Sequence, residues 1–468
     1  MTTLDESEAP APKETGTYHF IWRWHFYAGL FVAPFLIILA LTGSMILFDR
    51  QIESVIYRPL VQVSPSSTQI SPARQEALVL QAYPSARVLR YVHPAKPNYA
   101  AEFLIRNAHG KNRTVFVDPK DGRIKGDMNS HTRFSSVVTD IHGNLMSGPN
   151  GSLLVEFAGC WGFVLLISGL FLWWPRKDRK VGVAAPRLKA KGRGFWRDLH
   201  AVPSMWNAGI IAFLILSGLP WSGFWGTQLA KLGTLNVATA PTPNFVAPPP
   251  ALGVERPDAF TSHIHDHDPV KGDLPWAVKK AGLPDALDHA HMHHAMPPAS
   301  LAFLTNLAAE RGILAPGLRV LYPSDAKGVF TLSFVPQTAQ GQRTINVDPA
   351  TRTIIQDIGW EQYSPLGKAV EFGVETHTGK QFGLPNQLVL FASCMVLIAT
   401  ISFGIVMWLR RRPAGKIGAP PVPAGFKPNA ALLVLIAFFG AIFPMVGASM
   451  IVIWLADWAF ARWRAEPV

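Results

Sequence analysis

The sequence predicts a mainly α-helical membrane protein: a four-helix transmembrane bundle built from two parallel repeats, a fifth span, and two small α+β domains outside the bilayer. Three observations predict it. Hydrophobic residues make up 49% of the 468-residue chain and charged residues only 16%, a low charge content for a soluble protein. Five stretches reach the roughly 20 apolar residues that cross a bilayer core. The same order of features occurs twice along the chain, as in internal repeats.

Taken in order, residues 1–19 are a polar cytoplasmic tail and 20–48 the first span. That span is too long for a cleavable signal, follows an acidic tail, and lacks a small-residue cleavage pattern, so it reads as a retained anchor. Residues 49–152 form the first outer domain. Within it "SPARQEALVLQAY" (71–83) has helical spacing after a Ser-Pro start. "RVLRYVHP", "YAAEFLIRN" and "RTVFVDP" read as strands, and "DPKDG" as a turn. The second span (153–174), a basic loop (175–199) and the third span (200–226) follow. The second outer domain, 227–385, opens with the Pro-rich "ATAPTPNFVAPPPALG" (238–253) and a His-rich insert (263–294). It continues with a helix over 299–312 and the strands "GLRVLYPS", "GVFTLSFVP" and "RTINVDP". The fourth span (386–408), a second basic loop (409–429), a fifth span (430–456) and a short tail (457–468) complete the chain. Pro444 and Gly447 are placed to kink the fifth span.

The formal charge is +12, and topology accounts for it without nucleic acid. Residues 175–197 carry nine Lys/Arg against Asp178 alone, and 409–428 carry five against none. Short basic loops between spans mark the cytoplasmic side. The N-terminus is therefore expected inside a bacterial inner membrane, with both long loops in the periplasm. Arg462 and Arg464, beyond a fifth span, count against that scheme. The two cysteines, Cys160 and Cys394, fall inside spans, so no disulfide framework is expected.

The repeat shows in spacings. His25 precedes Gly43 by 18 residues, and His200 precedes Gly218 by 18. "TVFVDPKDGRI" (114–124) then "TDIHGNLMSG" (139–148) matches "TINVDPATRTI" (344–354) then "VETHTGKQFG" (374–383). Cys160 precedes Trp174 by 14 residues, and Cys394 precedes Trp408 by 14. Both halves start and end inside, so the repeats are parallel.

Histidine is uncommon at membrane spans because burying its charged form is costly. Four occupy matched places. His25 and His200 enter the first and third spans on the inner side, and His142 and His377 precede the second and fourth on the outer side. Each face thus has one histidine from each repeat. Two neutral imidazoles facing across a bundle axis suit the axial positions of a haem iron, which points to one haem for each pair. The competing reading is polar anchoring at the interface. Two histidines leave zinc short of ligands. Ala28, Gly29, Gly43, Ala208, Gly209 and Gly218 offer room for a haem plane. The outer histidines fall on short amphipathic segments, 131–146 and 364–378. Arg23, with Trp22, is placed to anchor at the inner interface and to reach a haem propionate. His19 and His131 lack repeat partners.

Other features carry less. His263, His265 and His267 with Asp266 and Asp268, and His289, His291, His293 and His294, could bind a transition metal. An insert with no counterpart in the first half also reads as a plain polar segment. Cys160 and Cys394 read as small packing residues, and the inner tryptophans as an aromatic belt. No dinucleotide fingerprint, P-loop or nucleophile motif is present in the sequence. Electrons for any reduction must then come from quinol or a cytoplasmic reductase.

"WRWHFYAGL", the two "VDP" domains, "DIHGNL", "RDLHAVPSMW" and "ETHTGKQFG" together resemble the PepSY-associated transmembrane family over about residues 18–412. Its members are often described as iron-regulated membrane proteins, and they include inner-membrane ferrisiderophore reductases with two b haems. The resemblance implies PepSY-like outer domains, axial haem ligation by His25, His142, His200 and His377, and a ferric siderophore or similar periplasmic chelate as acceptor. The fifth span and the His-rich insert depart from the family pattern. The alternative function is a haem-free membrane protein whose outer domains bind a peptide, protease or metal as sensor or assembly factor.

Overall fold

The structure, a computed structural model, describes residues 14–175, 182–235, 274–287, 299–325, 327–415, 418–423 and 426–465. Its helices are α1 (Glu14–Ile46), α2 (Asp49–Ile56), α3 (Arg58–Val61), α4 (Pro72–Ala82), α5 (Phe134–Asn144), α6 (Gly148–Trp173), α7 (Arg193–Gly218), α8 (Gly223–Lys231), α9 (Trp276–Ala281), α10 (Leu301–Glu310), α11 (Pro365–His377), α12 (Leu384–Arg411), α13 (Ala430–Ile442) and α14 (Pro444–Ala465). Its strands are β1 (Arg87–Val92), β2 (Ala101–Arg106), β3 (Asn112–Val117), β4 (Ile124–Asn129), β5 (Leu318–Leu321), β6 (Phe330–Phe334), β7 (Arg343–Val347) and β8 (Ile354–Gly359). The chain divides into a helical unit (residues 1–41, 154–216 and 392–468) and a sheet unit (42–153 and 217–391).

Among the described residues four helices are long and apolar enough to cross a membrane: Gly16–Ile46, Gly148–Trp173, Arg193–Trp221 and Leu384–Arg411. At 1.5 Å per residue, even the 26-residue helix spans about 39 Å, more than a bilayer core of about 30 Å. Large apolar side chains such as Phe31 and Leu216 are exposed, as lipid-facing residues would be. Without a hydrophobic drive between helices in lipid, small residues and polar clamps must join them. Gly162 lies against Leu36 and Ile215. Asn207 of α7 donates to the Ser393 carbonyl of α12 (2.9 Å), and the Ser393 hydroxyl donates back (2.6 Å).

The expected fifth span is not one helix. It breaks at Phe443, and Pro444, which has no N–H to continue a helix, begins α14. The 13 residues of α13 extend only about 20 Å. The two helices turn sharply against each other through glycine: a Cβ on Gly447 would sit 2.6 Å from the Gly440 carbonyl oxygen. The turn packs on α6, where Phe163 meets Phe443 edge-on and Trp161 Nε1 donates to Ser449 (3.2 Å).

In the sheet unit the two outer segments do not form separate sheets. Their strands make one antiparallel eight-stranded sheet, order β4-β3-β2-β1-β5-β6-β7-β8. Pairing of β1 with β5 covers two edges that would otherwise be open to aggregation. Each half also has a fourth strand, β4 or β8, that the sequence pattern misses. "IKGDMN" and "IIQDIG" are outermost strands, mostly half-buried on both faces, so they lack apolar alternation. One sheet face packs α4 and α10 around Tyr91, Phe103, Leu304, Val320 and Leu332. The other receives α3 and α9 through Val61, Phe116, Trp276 and Tyr363. The two "VDP" motifs are turn formers. Asp118 accepts from the Lys120 N–H (3.0 Å), and Asp348 from those of Ala350 (3.0 Å) and Thr351 (2.8 Å).

Candidate functional site: two histidine pairs

In the helical unit, α1 and α7 bring His25 and His200 together. Their ring centroids are 6.5 Å apart and their planes cross at 77°. In the sheet unit, His142 in the last turn of α5 and His377 at the end of α11 come together, with centroids 6.3 Å apart and planes again at 77°. Ser364 caps the start of α11 by accepting from the Gly367 N–H (3.0 Å), with Pro365 at the first helical position. All four imidazoles are half-buried.

Each ring is held by Nδ1. His200 Nδ1 lies 2.7 Å from the Thr400 carbonyl oxygen. A carbonyl only accepts, so Nδ1 carries the proton and Nε2 presents its lone pair. His25 Nδ1 lies 2.8 Å from Ser168 Oγ, whose own proton goes to the Leu165 carbonyl (3.1 Å). That hydroxyl therefore accepts from Nδ1, and Nε2 is again the free ligand nitrogen. His142 Nδ1 is 2.9 Å from Thr42 Oγ1, and His377 Nδ1 is 2.8 Å from Ser217 Oγ. Fixing one ring nitrogen by a hydrogen bond is how proteins set the orientation and tautomer of a metal-binding histidine.

A glycine faces each ring. A Cβ on Gly43 would lie 3.2 Å from His142 Cε1, one on Gly169 3.2 Å from His25, one on Gly218 3.7 Å from His377, and one on Gly404 3.3 Å from His200. Three seats are Ser/Thr-Gly dipeptides: Thr42-Gly43, Ser168-Gly169 and Ser217-Gly218. By spacing alone, Gly43 and Gly218 belong with the inner histidines of their own helices. They seat the outer pair instead. Ser168-Gly169, Thr400 and Gly404 were missed, although Ser/Thr-Gly within a span was a visible signal.

The geometry can be tested against a metal. A metal–imidazole bond of about 2.0–2.1 Å, plus about 1.2 Å from nitrogen to ring centre, counted twice, gives about 6.4 Å. Both observed centroid separations match that of two imidazoles sharing one metal atom. Two ligands suit a haem iron, whose porphyrin fills the other positions, better than zinc. Among the described residues no group of three or more His, Cys, Asp or Glu side chains is placed to hold an ion.

Arg23 does not share the face of the inner pair. Two residues before His25, it points about 200° round the helix and lies over the exposed Tyr27, 5.7 Å from its ring. The cations on the face of the pair are Arg193 and Arg411, stacked on Trp22 at 5.4 and 5.1 Å. Trp22 lies one turn before His25, Arg193 two turns before His200, and Arg411 two turns beyond Gly404. His19 packs with Tyr18 and Trp22, and His131 sits exposed in a 3-10 turn. Cys160 and Cys394 are buried free thiols. His263, His265, His267, His289, His291, His293 and His294 lie outside the described residues.

Beside the outer pair, α11 carries two buried acids. Burial pushes Glu371 up to about 7, partly offset by the Ala277 N–H that donates to it (2.8 Å). Glu375 accepts from Gln342 (3.2 Å) and faces Lys380 (3.5 Å).

The family model of the PepSY-associated TM region matches residues 22–411, most of the chain. The chain belongs to the PepSY-associated transmembrane family. No curated protein matches it. The family match takes in both histidine pairs and all four spanning helices, and it ends before α13. The protein is therefore a multi-pass membrane protein of this family with a segment beyond the family's core.

Proposed function

We propose that the chain is an inner-membrane di-haem b reductase that passes electrons outward to a periplasmic ferric chelate. The observation that carries the reading is the pair of bis-histidine seats. Each has the separation of one bis-imidazole metal, with Nδ1 engaged and a glycine opposite the ring. Haem, when bound, would supply a one-electron centre in each seat. The chain's own groups do the rest. Ser168 and the Thr400 carbonyl hold His25 and His200 with Nε2 free. Thr42 and Ser217 hold His142 and His377. Arg193 and Arg411 bring positive charge to the inner seat.

The basic residues Arg187, Lys189, Lys191, Arg193 and Arg197, with Arg410, Arg411 and Arg412, support a cytoplasmic assignment for one side of the bundle. The N-terminus is then inside, and the sheet unit is a pair of fused PepSY-like domains in the periplasm, one per repeat. The donor would be quinol or a cytoplasmic reductase delivering one electron at a time to the inner seat. One electron accepted by the chelate would convert its Fe(III) to Fe(II). Hard oxygen ligands hold Fe(II) less tightly, so the iron is released and the chelator survives.

The test is direct. Dithionite-reduced protein, freed of excess reductant, is mixed with a ferric chelate. Loss of reduced absorbance should track capture of Fe(II) by a ferrous indicator, one iron per electron lost. Reduced protein that stays reduced in the presence of ferric chelates of every charge type would sink the reductase reading.

A further inference from the structure

In the helical unit one indole carries two arginines. The Arg193 and Arg411 guanidiniums lie 5.4 and 5.1 Å from the Trp22 ring, and Arg411 also lies 5.4 Å from that of Phe26. The three residues come from three helices, α7, α12 and α1. The two cations are close enough for the charge of Arg193 to act on Arg411. Among the described residues the exposed Arg193 side chain makes no hydrogen bond or ion pair. The half-buried Arg411 side chain donates only to the Gly418 carbonyl (2.7 Å), so most of its N–H donors are unused there. Asp198 is not their counter-ion, because Arg187 (2.6 Å) and Arg197 (2.5 Å) hold it.

Helix geometry places these cations beyond the inner histidine pair. Trp22 precedes His25 by three residues, about 4.5 Å along α1. Arg193 precedes His200 by seven residues, and Arg411 follows Gly404, which faces the His200 ring, by seven. Seven residues are about two turns, which return to nearly the same face about 10.5 Å further on. All three offsets run toward the same end of the unit, since one Trp22 ring meets both arginines. The neighbouring cations are engaged elsewhere: Arg23 over Tyr27, Arg410 over Trp196 and Arg412 over Trp408.

Two adjacent guanidiniums repel unless an anion joins them, and each is a planar fork matched to a carboxylate. A haem carries two carboxylates on one edge, and its plane stands across the axis joining its two ligand nitrogens. Between His25 and His200 that axis crosses from α1 to α7, so the plane runs along the helices and one edge faces an end of the unit. We propose that Arg193 and Arg411, braced on Trp22, form a carboxylate clamp for the propionates of the haem held by His25 and His200. They act as positioning residues: they select which way round the cofactor enters and offset the charge it brings. The inference rests on the reductase reading. The competing occupant is the phosphate of an anionic lipid. The placement favours propionates, because both arginines meet on the side of α1 that carries His25, whereas Arg23 points to the other side.

The experiment uses the full-length chain with His377→Ala, so that only the inner seat is loaded. The protein is produced under haem starvation, purified in detergent, and titrated with protohaem or with its dimethyl ester, whose propionates carry no charge. Absorbance reads binding, and the midpoint potential of bound protohaem is read in parallel. The added variants are Arg193→Gln/Arg411→Gln, the charge-preserving Arg193→Lys/Arg411→Lys, and Arg23→Gln as control. The clamp predicts that the chain without added variants binds protohaem at least tenfold more tightly than the ester. The Gln pair should lose that preference and show a lower potential, the Lys pair should keep part of it, and Arg23→Gln should keep all of it. The preference of the chain itself is read without altering the arginines, so a Gln pair that fails to fold leaves that ratio and the Lys pair to decide. A chain that binds protohaem and ester equally, or a Gln pair that weakens both by the same factor, overturns the clamp and leaves the reductase reading standing. Loss of phosphatidylglycerol binding from mixed micelles in the Gln pair, with the ratio unchanged, assigns the arginines to lipid and also overturns it. A folded chain that binds neither protohaem nor ester sinks the reductase reading and the clamp together.

Discussion

Glu371 makes the stability of the sheet unit depend on pH. It is 1% exposed on α11, and its carboxylate accepts from the Ala277 N–H. Burial is the largest influence and raises it from 4.5 to about 7. The native state therefore holds a proton that the unfolded chain releases above 4.5. Stability from this group is fully present below pH 4.5, falls as pH rises toward 7, and levels off above that. Each unit of difference is worth about 1.4 kcal/mol, so the penalty is about 1 kcal/mol at pH 5 and about 3 kcal/mol at pH 8. Glu371→Gln keeps an oxygen for the Ala277 N–H and cannot ionise. It should stabilise the protein by up to about 3 kcal/mol at pH 8 and by about 1 kcal/mol at pH 5. That is a gain of several degrees in melting temperature at the higher pH. Melting followed by tryptophan fluorescence at both pH values is the assay. A variant that melts lower than the parent by the same amount at both would mean that Glu371 is charged in the fold, and the reasoning would fail.

Other outcomes follow from particular contacts. Gly43→Leu should remove the outer haem and leave the inner one, since its Cβ alone would stand 3.2 Å from His142 Cε1; haem content per chain reads the result. Arg133→Met strands Glu53 and Glu102 without their cation. It should cost about 3–5 kcal/mol near pH 7.5 and less near pH 5, where the carboxylates take up protons, and chemical denaturation at the two pH values checks this. The turn between α13 and α14 should bring the C-terminus back to the side of the Arg410–Arg412 run. A green fluorescent reporter fused there should fluoresce as a cytoplasmic protein does, whereas a single fifth span would leave it dark.

The spans were legible because lipid forces every backbone group into a helix, and that demand writes long apolar runs into the chain. His25, His142, His200 and His377 were legible for a different reason: recurrence at matched offsets made four ordinary residues into two pairs. What holds those residues was not. Thr400 acts through its carbonyl, which any residue could supply, and Gly404 looks like one more small residue in an apolar run. Arg23 misled because it adjoins His25 in sequence, while helical rotation turns it away and brings in Arg193 and Arg411 from other helices. The joining of β1 to β5 links strands more than 200 residues apart, and no local pattern encodes such a pairing. The broken fifth span was half legible, since Pro444 and Gly447 foretold a kink but not the contact of Gly440 with Gly447.

In the proposed reductase, His25 with His200, and His142 with His377, would each hold one haem. Haem quantitation and reduced-minus-oxidised spectra of the parent, His200→Ala and His377→Ala test it most directly. Two b-type haems per chain are expected in the parent and one in each variant, with different midpoint potentials for the haem that remains. A folded parent without haem, or variants that each lose both haems, would contradict it.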